Sequence, residues 1–273
     1  MKKRANVYAR RRRYITGLGG GFAIMVLMGC STAQSPNLSS ECDASFYLSA
    51  QDGRAGLVDG NPVVRHAPDS LAVVKLDAGH LSIVQAINVP ASLIGPPNSI
   101  AITPDGRLAL VSASTRSDPV DQQKVVPYDL VSVIALDRNS ATPLKLIGSL
   151  HTGLGAAGIA IDKTGGIALV ANRAEGSVSL LSIHGSDVKA TDKLLLGPQS
   201  LPGNVAFIDE HHAMVTRDGD NRISLLDVDA SSVRLGGKTL HAGLRPSGLD
   251  ISSDAKWAVL SNLGGGEGDA DTI

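Results

Sequence analysis

Gly158-Ile159-Ala160-Ile161, Lys163-Thr164-Gly165-Gly166, Ile167-Ala168-Leu169-Val170-Ala171-Asn172, Arg173-Ala174-Glu175-Gly176 and Ser177-Val178-Ser179-Leu180-Leu181-Ser182-Ile183 make up the stretch that decides the fold. Its apolar runs alternate with period two, as half-buried strands do, and its breaks carry the Gly, Asp and Asn that tight turns use. The stretch reads as an innermost strand at 158–161, a second at 167–172 and a third at 177–183, with an outermost strand near 189–196. Its frame recurs. The inner triplets Ile100-Ala101-Ile102, Ile159-Ala160-Ile161, Val205-Ala206-Phe207 and Leu249-Asp250-Ile251 follow one another after 59, 46 and 44 residues. The third strands Leu71-Ala72-Val73-Val74, Val131-Ser132-Val133-Ile134, Val178-Ser179-Leu180-Leu181 and Ile223-Ser224-Leu225-Leu226 follow after 60, 47 and 45. Four strands per repeat at that period define a propeller blade, so the expected fold is all-β, a β-propeller of four-stranded blades. Helical spacing of apolar residues is hard to find after Cys30.

Ala168-Leu169-Val170-Ala171-Asn172 followed by Gly176-Ser177-Val178-Ser179-Leu180-Leu181 resembles the YVTN propeller repeat, the group of the YncE-like proteins, which is related to the seven-bladed lactonase propellers. The resemblance covers roughly residues 45–273 and is strong in the second and fourth repeats. It is weaker in the third, where His211 and His212 occupy the usual turn, and weakest before residue 96. It implies seven blades in the full-length protein, of which about four and a half fit into this chain. Asp271-Thr272-Ile273 aligns with Asn221-Arg222-Ile223 at the opening of a third strand. A strand halted there exposes unpaired backbone groups and an open edge, so residues 45–273 are expected to be a C-terminally truncated propeller.

Residues 1–29 hold seven of the 25 Lys and Arg and no Asp or Glu, and the stretch from Tyr14 to Gly29 is uncharged. A basic region before an apolar one is the order of a secretory signal, and sixteen residues fall short of the roughly 20 that span a bilayer as a helix. Leu27-Met28-Gly29-Cys30 resembles the lipobox of bacterial lipoproteins, which implies acylation of Cys30 and a polar tether over 30–44. Arg11-Arg12-Arg13-Tyr14-Ile15 resembles the twin-arginine export signal; a general secretory signal with an overcharged start is the other reading. Ser31, where an inner-membrane retention signal would carry Asp, implies attachment to the outer membrane, facing the periplasm, if the cell has one. Cys42 is then left without an intrachain partner, so no disulfide framework is expected.

Removal of residues 1–29 leaves 18 Lys and Arg against 26 Asp and Glu, a net charge of −8. An acidic chain without a basic stripe cannot neutralise phosphates, so no nucleic-acid partner is expected. With 3% aromatic residues, the core is expected to consist of Val, Ile, Leu and Ala.

In a propeller, the loops joining second to third strands share a face with the loops entering the next blade. Here the former carry Arg116 and Asp118, then Arg173 and Glu175, then Arg217, Asp218, Asp220 and Asn221, then Glu267, Asp269 and Asp271. Charges of both signs around one channel mouth suit a polar ligand or, with a base, activation of water; they equally suit solvated turns. His151 and His241 occupy matching places, in Leu150-His151-Thr152-Gly153-Leu154 and Leu240-His241-Ala242-Gly243-Leu244. Two imidazoles there could act as acid and base or as metal ligands, and blade duplication alone also explains the match.

No metal or cofactor is expected. Gly153-Leu154-Gly155-Ala156-Ala157-Gly158 fits a dinucleotide pattern but leads into a strand, and Asp218-Gly219-Asp220-Asn221-Arg222 starts like a calcium loop but puts Arg at the third ligand position. Glu210-His211-His212 lacks the zinc-protease spacing. The first expectation is a lipid-anchored scaffold that binds a polar small molecule or an envelope protein without chemistry. The alternative, carried by the lactonase resemblance, is a hydrolase that opens a cyclic ester by water attack, with His151, Arg173, Arg217 and His241 as the residues to inspect. A third is a chaperone-like assembly factor in the envelope.

Overall fold

The computed structural model describes residues 45–265, apart from residues 54, 59–60, 65–66, 92–97 and 122–123. The proposed signal and tether, Cys30, Cys42, Glu267, Asp269 and Asp271 lie outside the described residues. Five sheets follow one another as successive blades of a β-propeller. Blade 1 begins with β1 (Ser45–Gln51); a separate hairpin, β2 (Ala55–Val58) and β3 (Asn61–Val64), precedes β4 (Ser70–Asp77) and β5 (His80–Asn88), and the sheet order is β1-β4-β5. Blade 2 comprises β6 (Ile100–Ile102), β7 (Leu108–Ser117), β8 (Val125–Leu136) and β9 (Leu144–His151). Blade 3 comprises β10 (Ala156–Ile161), β11 (Ile167–Asn172), β12 (Ser177–His184) and β13 (Asp187–Leu195). Blade 4 comprises β14 (Pro202–Phe207), β15 (His212–Arg217), β16 (Arg222–Val228) and β17 (Val233–His241), and blade 5 contributes β18 (Pro246–Ile251) and β19 (Ala258–Asn262). All pairings are antiparallel. Among the described residues, the helical content is one 3-10 turn, Asp218–Asp220, and no helix is long and apolar enough to cross a membrane. The β2–β3 hairpin is the one feature absent from the sequence reading, and it falls where the repeat is weakest.

The alternation of β11 shows why the blades stack. Ala168 and Val170 pack with Leu181 and Ile183 against Leu108, Leu110, Val131 and Val133 of blade 2. Ile167, Leu169 and Ala171 pack with Val178 and Leu180 against Val205, Ala213, Val215 and Leu226 of blade 4. Both faces of the sheet are therefore apolar, as in other strands covered on two sides. Leu169, Leu180 and Leu226 are fully buried, and each such side chain contributes about 1.5–3 kcal/mol.

The inner strands carry a recurrent irregularity, one extra residue between Ala156 and Ile159, Pro202 and Val205, and Pro246 and Leu249. Such bulges bend a strand and leave backbone groups that need partners. Thr216 Oγ1 accepts from Asn204 N at 2.9 Å and donates to the Ser247 carbonyl of blade 5 at 3.3 Å. Ser112 donates likewise to the Ala157 carbonyl of blade 3. The side-chain amides of Asn98 and Asn204 both donate to the Leu249 carbonyl, at 3.4 and 3.3 Å, which ties blades 2, 4 and 5 together around the axis.

Acidic turns join first to second strands at the opposite end of the blades. Thr103 Oγ1 donates to Asp105 at 2.6 Å and Ser252 Oγ to Asp254 at 2.7 Å. In blade 4, Asp209 accepts from the backbone N–H groups of His211 and His212 and pairs with the His212 ring at 2.9 Å, so His211 lies in the turn and His212 opens β15 beside it. The Thr103 hydroxyl and the Arg107 amide hold Asp105 below the ordinary 3.8, and the Ser252 hydroxyl and the Lys256 amide do the same for Asp254. Partial burial pushes Asp209 up, but the His211 amide and the His212 ring outweigh it and leave this carboxyl lowered too. A depressed folded-state value means that the unfolded chain takes up protons first, so this stability is present above 3.8 and is lost as pH falls through the folded values. Thermal melting should therefore decline steeply below pH 4, and Asp105→Asn/Asp209→Asn/Asp254→Asn should flatten that decline while lowering the melting temperature at pH 7. Equal slopes for the two proteins would refute the assignment.

Candidate functional site

Antiparallel order puts the joins between second and third strands on one face, together with the segments entering the next blade. On this loop face the segment 151–155 lies against blade 3: Arg173 N donates to the Gly155 carbonyl, and Ala174 N and Glu175 N to Leu154. Asn172, fully buried at the end of β11, accepts from Gly153 N at 3.1 Å and donates to the Ser177 and Ser179 hydroxyls at 2.9 Å each. Any side chain at Gly153 would collide with Glu175 and Asn172, so glycine is required there. Glu175 accepts from Ser177 Oγ at 2.6 Å and pairs with Lys193 at 3.1 Å.

Next to this belt, Arg173 reaches blade 4, donating to the Leu201 carbonyl at 3.2 Å and pairing with Asp218. Val170 and Val215 hold the same register against their inner strands, so Arg173 and Asp218, each three residues on, are equivalent positions of adjacent blades. Asp218 has only 9% of its side chain exposed, and Arg245 approaches its other oxygen at 3.4 Å from the entry to blade 5. Arg217 pairs with Asp220 and donates to Ser224 Oγ at 3.2 Å.

Arg245 has a φ of +57°, left-handed backbone, where the equivalent residue of blade 3 is Gly155 at +79°. Both accept through their carbonyls from the residue that follows the second strand, Leu263 and Arg173 respectively. A side chain in that conformation costs about 1–2 kcal/mol, and here it delivers a half-exposed guanidinium to a buried carboxylate.

The two histidines diverge. His151 ends β9, and its Nδ1 meets Asp129 Oδ1 at 2.8 Å while the ring stays largely exposed. His241 ends β17, opposite Arg222. Thr152 N donates to the Asp129 carbonyl as Ala242 N does to that of Asn221, so Asn221 stands in the place of Asp129. Its side-chain oxygen is taken by Arg245 N at 2.8 Å, and His241 has no hydrogen-bond partner among the described residues. The structure thus joins Arg173 to Asp218, Arg217 to Asp220 and Glu175 to Lys193, and both histidines terminate outermost strands. Asp129, Asn172, Lys193 and Arg245 are the members the sequence reading missed. Arg245 was detectable as a charged residue aligned with the glycine of another repeat. Two clefts of about 400 and 350 Å³, between blades 1 and 2 and blades 2 and 3, open on the opposite face, lined by residues such as Gln85 and Pro143 or Arg107 and Ile183.

No protein-family model and no curated protein sequence matches the chain. Solved structures do match its fold. The periplasmic gluconolactonase PpgL of Pseudomonas aeruginosa is 20% identical with a TM-score of 0.55, over 72% of this chain and 57% of that one. A Lactobacillus plantarum protein is 16% identical with a TM-score of 0.57, over 82% and 75%. A functionally unknown protein of Desulfotomaculum acetoxidans is 17% identical with a TM-score of 0.54, over 71% and 58%. The chain therefore spans less than three fifths of the Pseudomonas and Desulfotomaculum structures. At these identities the likeness establishes the propeller fold.

Arg245→Gly should leave stability within about 1 kcal/mol of wild type in denaturant titrations, because relief of the left-handed strain offsets a half-exposed ion pair and glycine's greater unfolded-state freedom. Asp218→Asn, which strips the carboxylate charge from Arg173, should cost about 1–3 kcal/mol. A larger loss from Arg245→Gly than from Asp218→Asn would reverse the roles given to the two residues.

Proposed function

We propose that the protein is an extracytoplasmic propeller hydrolase that opens an unphosphorylated lactone by water attack on the loop face. The observation that carries this reading is the His151–Asp129 pair. A carboxylate on Nδ1 fixes the ring with its proton there and turns the Nε2 lone pair to solvent, the arrangement of a general base. His151 would take a proton from water as the oxygen adds to the lactone carbonyl carbon. The ring C–O bond then breaks and the proton passes to the departing oxygen. The fold shared with a periplasmic gluconolactonase supports this ahead of the binding scaffold. An exported chain would meet unphosphorylated lactones, since the sugar phosphates are cytoplasmic. Of the residues marked for inspection, Arg173 borders the same belt, while Arg217 is committed to Asp220 and His241 lacks an orienting acid. With purified full-length protein and a panel of aldonolactones, His151→Ala should lower kcat/KM by about 10²–10⁴-fold and Asp129→Asn by a smaller factor. Absence of turnover by wild type would overturn the hydrolase reading.

Non-catalytic binding of a polar small molecule or an envelope protein is the second reading. It is favoured by the way Arg173 closes on Asp218, Arg217 on Asp220 and Glu175 on Lys193. Either activity would be exercised from the membrane if Cys30 is acylated, for which the residues Leu27 to Cys30 are the support. Labelled palmitate should be incorporated by wild type and not by Cys30→Ser; equal labelling would remove the anchor.

A further inference from the structure

Blade 2 differs from blades 3 and 4 on the loop face. Its strands β7 and β8 remain paired out to Ser117 and Val125, whereas β11 and β15 end at Asn172 and Arg217. Between the pairs Ala113–Leu130 and Thr115–Pro127, the two residues Tyr128 and Asp129 stand opposite Ser114 alone. The bulged residues hold the segment that follows His151: the Tyr128 carbonyl accepts from Gly155 N, the Asp129 carbonyl from Thr152 N, and the Asp129 carboxylate pairs with the His151 ring. The raised hairpin also carries Arg116, whose guanidinium carbon lies 4.6 Å from the centre of the Tyr128 ring.

Arg116 is exposed and has no carboxylate within ion-pair distance among the described residues, whereas Arg173, Arg217 and Arg245 all close on Asp218 or Asp220. Stacking on an aromatic ring engages one face of a guanidinium and leaves its in-plane N–H donors directed outward in a fixed fork. An unneutralised cation on the same hairpin as Asp129, the partner of His151, suits a reaction that creates negative charge. Lactone hydrolysis is such a reaction: addition of water to a neutral ester gives a tetrahedral oxyanion, cleavage of the ring C–O bond gives a hydroxy acid, and that acid ionises to a carboxylate at neutral pH.

We propose that Arg116, held over the Tyr128 ring, stabilises the oxyanion formed on the lactone carbonyl and then binds the carboxylate of the ring-opened product. The assignment rests on the hydrolase reading and adds a catalytic residue to it. Arg222 is an internal control, because it also forms no ion pair among the described residues but stands opposite His241, whose ring has no carboxylate partner among them.

The test uses the full-length protein, gluconolactone as substrate and gluconate as a ligand followed by calorimetry. Arg116→Ala is expected to lower kcat/KM by about 10²–10³-fold, mainly through kcat, and to weaken gluconate binding at least about tenfold. Arg116→Lys should recover only part of both, because an ammonium keeps the charge and loses the fork. Arg222→Ala should change neither. Turnover and gluconate binding that survive Arg116→Ala would overturn the assignment and leave the hydrolase reading intact. Gluconate binding that depends on Arg116 without turnover by wild type would support the anion site and overturn the hydrolase. Loss of both by Arg222→Ala as well as Arg116→Ala would reduce the effect to general surface charge and sink the proposal.

Discussion

Blades 2 and 3 are apolar on both faces, and that single constraint generates the architecture. A strand such as β11, with all six residues buried, cannot be satisfied by its own sheet. It needs a neighbouring blade on each side, and each neighbour needs the next. Radial repetition follows from the period-two pattern, and with it the convergence of loops on one face. The site is a by-product of packing before it is a product of chemistry.

The interfaces are not equivalent, although the repeat suggests that they are. Ser112 and Thr216 staple blade 2 to blade 3 and blade 4 to blade 5 near the axis. The matching positions of blades 1 and 3, by strand register, are Ala50 and Ala171, which have no hydroxyl. Those two blades hold their successors at the outer rim instead. Gln85 exchanges two hydrogen bonds with the Leu144 backbone, and Asp192, its equivalent in blade 3, accepts from Val233 N at 2.9 Å. The hydroxyl staples thus recur two blades apart, as do histidine at 151 and 241 and asparagine at 172 and 262.

Strand existence and order were legible because they depend on local alternation: the innermost and outermost strands of blade 3, read at 158–161 and near 189–196, are Ala156–Ile161 and Asp187–Leu195. The loop face was legible as a set of charged residues and not as a set of bonds. Pairing depends on which side chain of one blade meets which of the next, and Arg173 with Asp218 are 45 residues apart. Nothing within either loop announces its partner. The pairing of Arg217 with Asp220 is local, yet the same loop offered Asp218 as an equal candidate. His151 and His241 illustrate the limit most clearly. Closely similar surroundings in sequence lead to different hydrogen bonding, because the deciding residue, Asp129 in β8 or Asn221 just before β16, lies outside that stretch.

Departures from the repeat are therefore more informative than the repeat. Where duplicated blades agree, as at Gly153 and Asn172 of blade 3, packing suffices as the explanation, because the residues brace a loop. Where one blade breaks the pattern at a cost, packing does not suffice. Arg245 puts a charged side chain on the left-handed position that Gly155 and Leu201 hold in blades 3 and 4, and blade 2 interrupts its regular ladder at Tyr128 and Asp129. Both departures lie on the loop face, and each places a charged group where the other blades carry an uncharged residue, Gly155 or Leu201 for Arg245 and Asn221 for Asp129. A fold dictated by apolar alternation has no use for either. Their common location is the physical reason to look for chemistry there and not in the clefts of the opposite face.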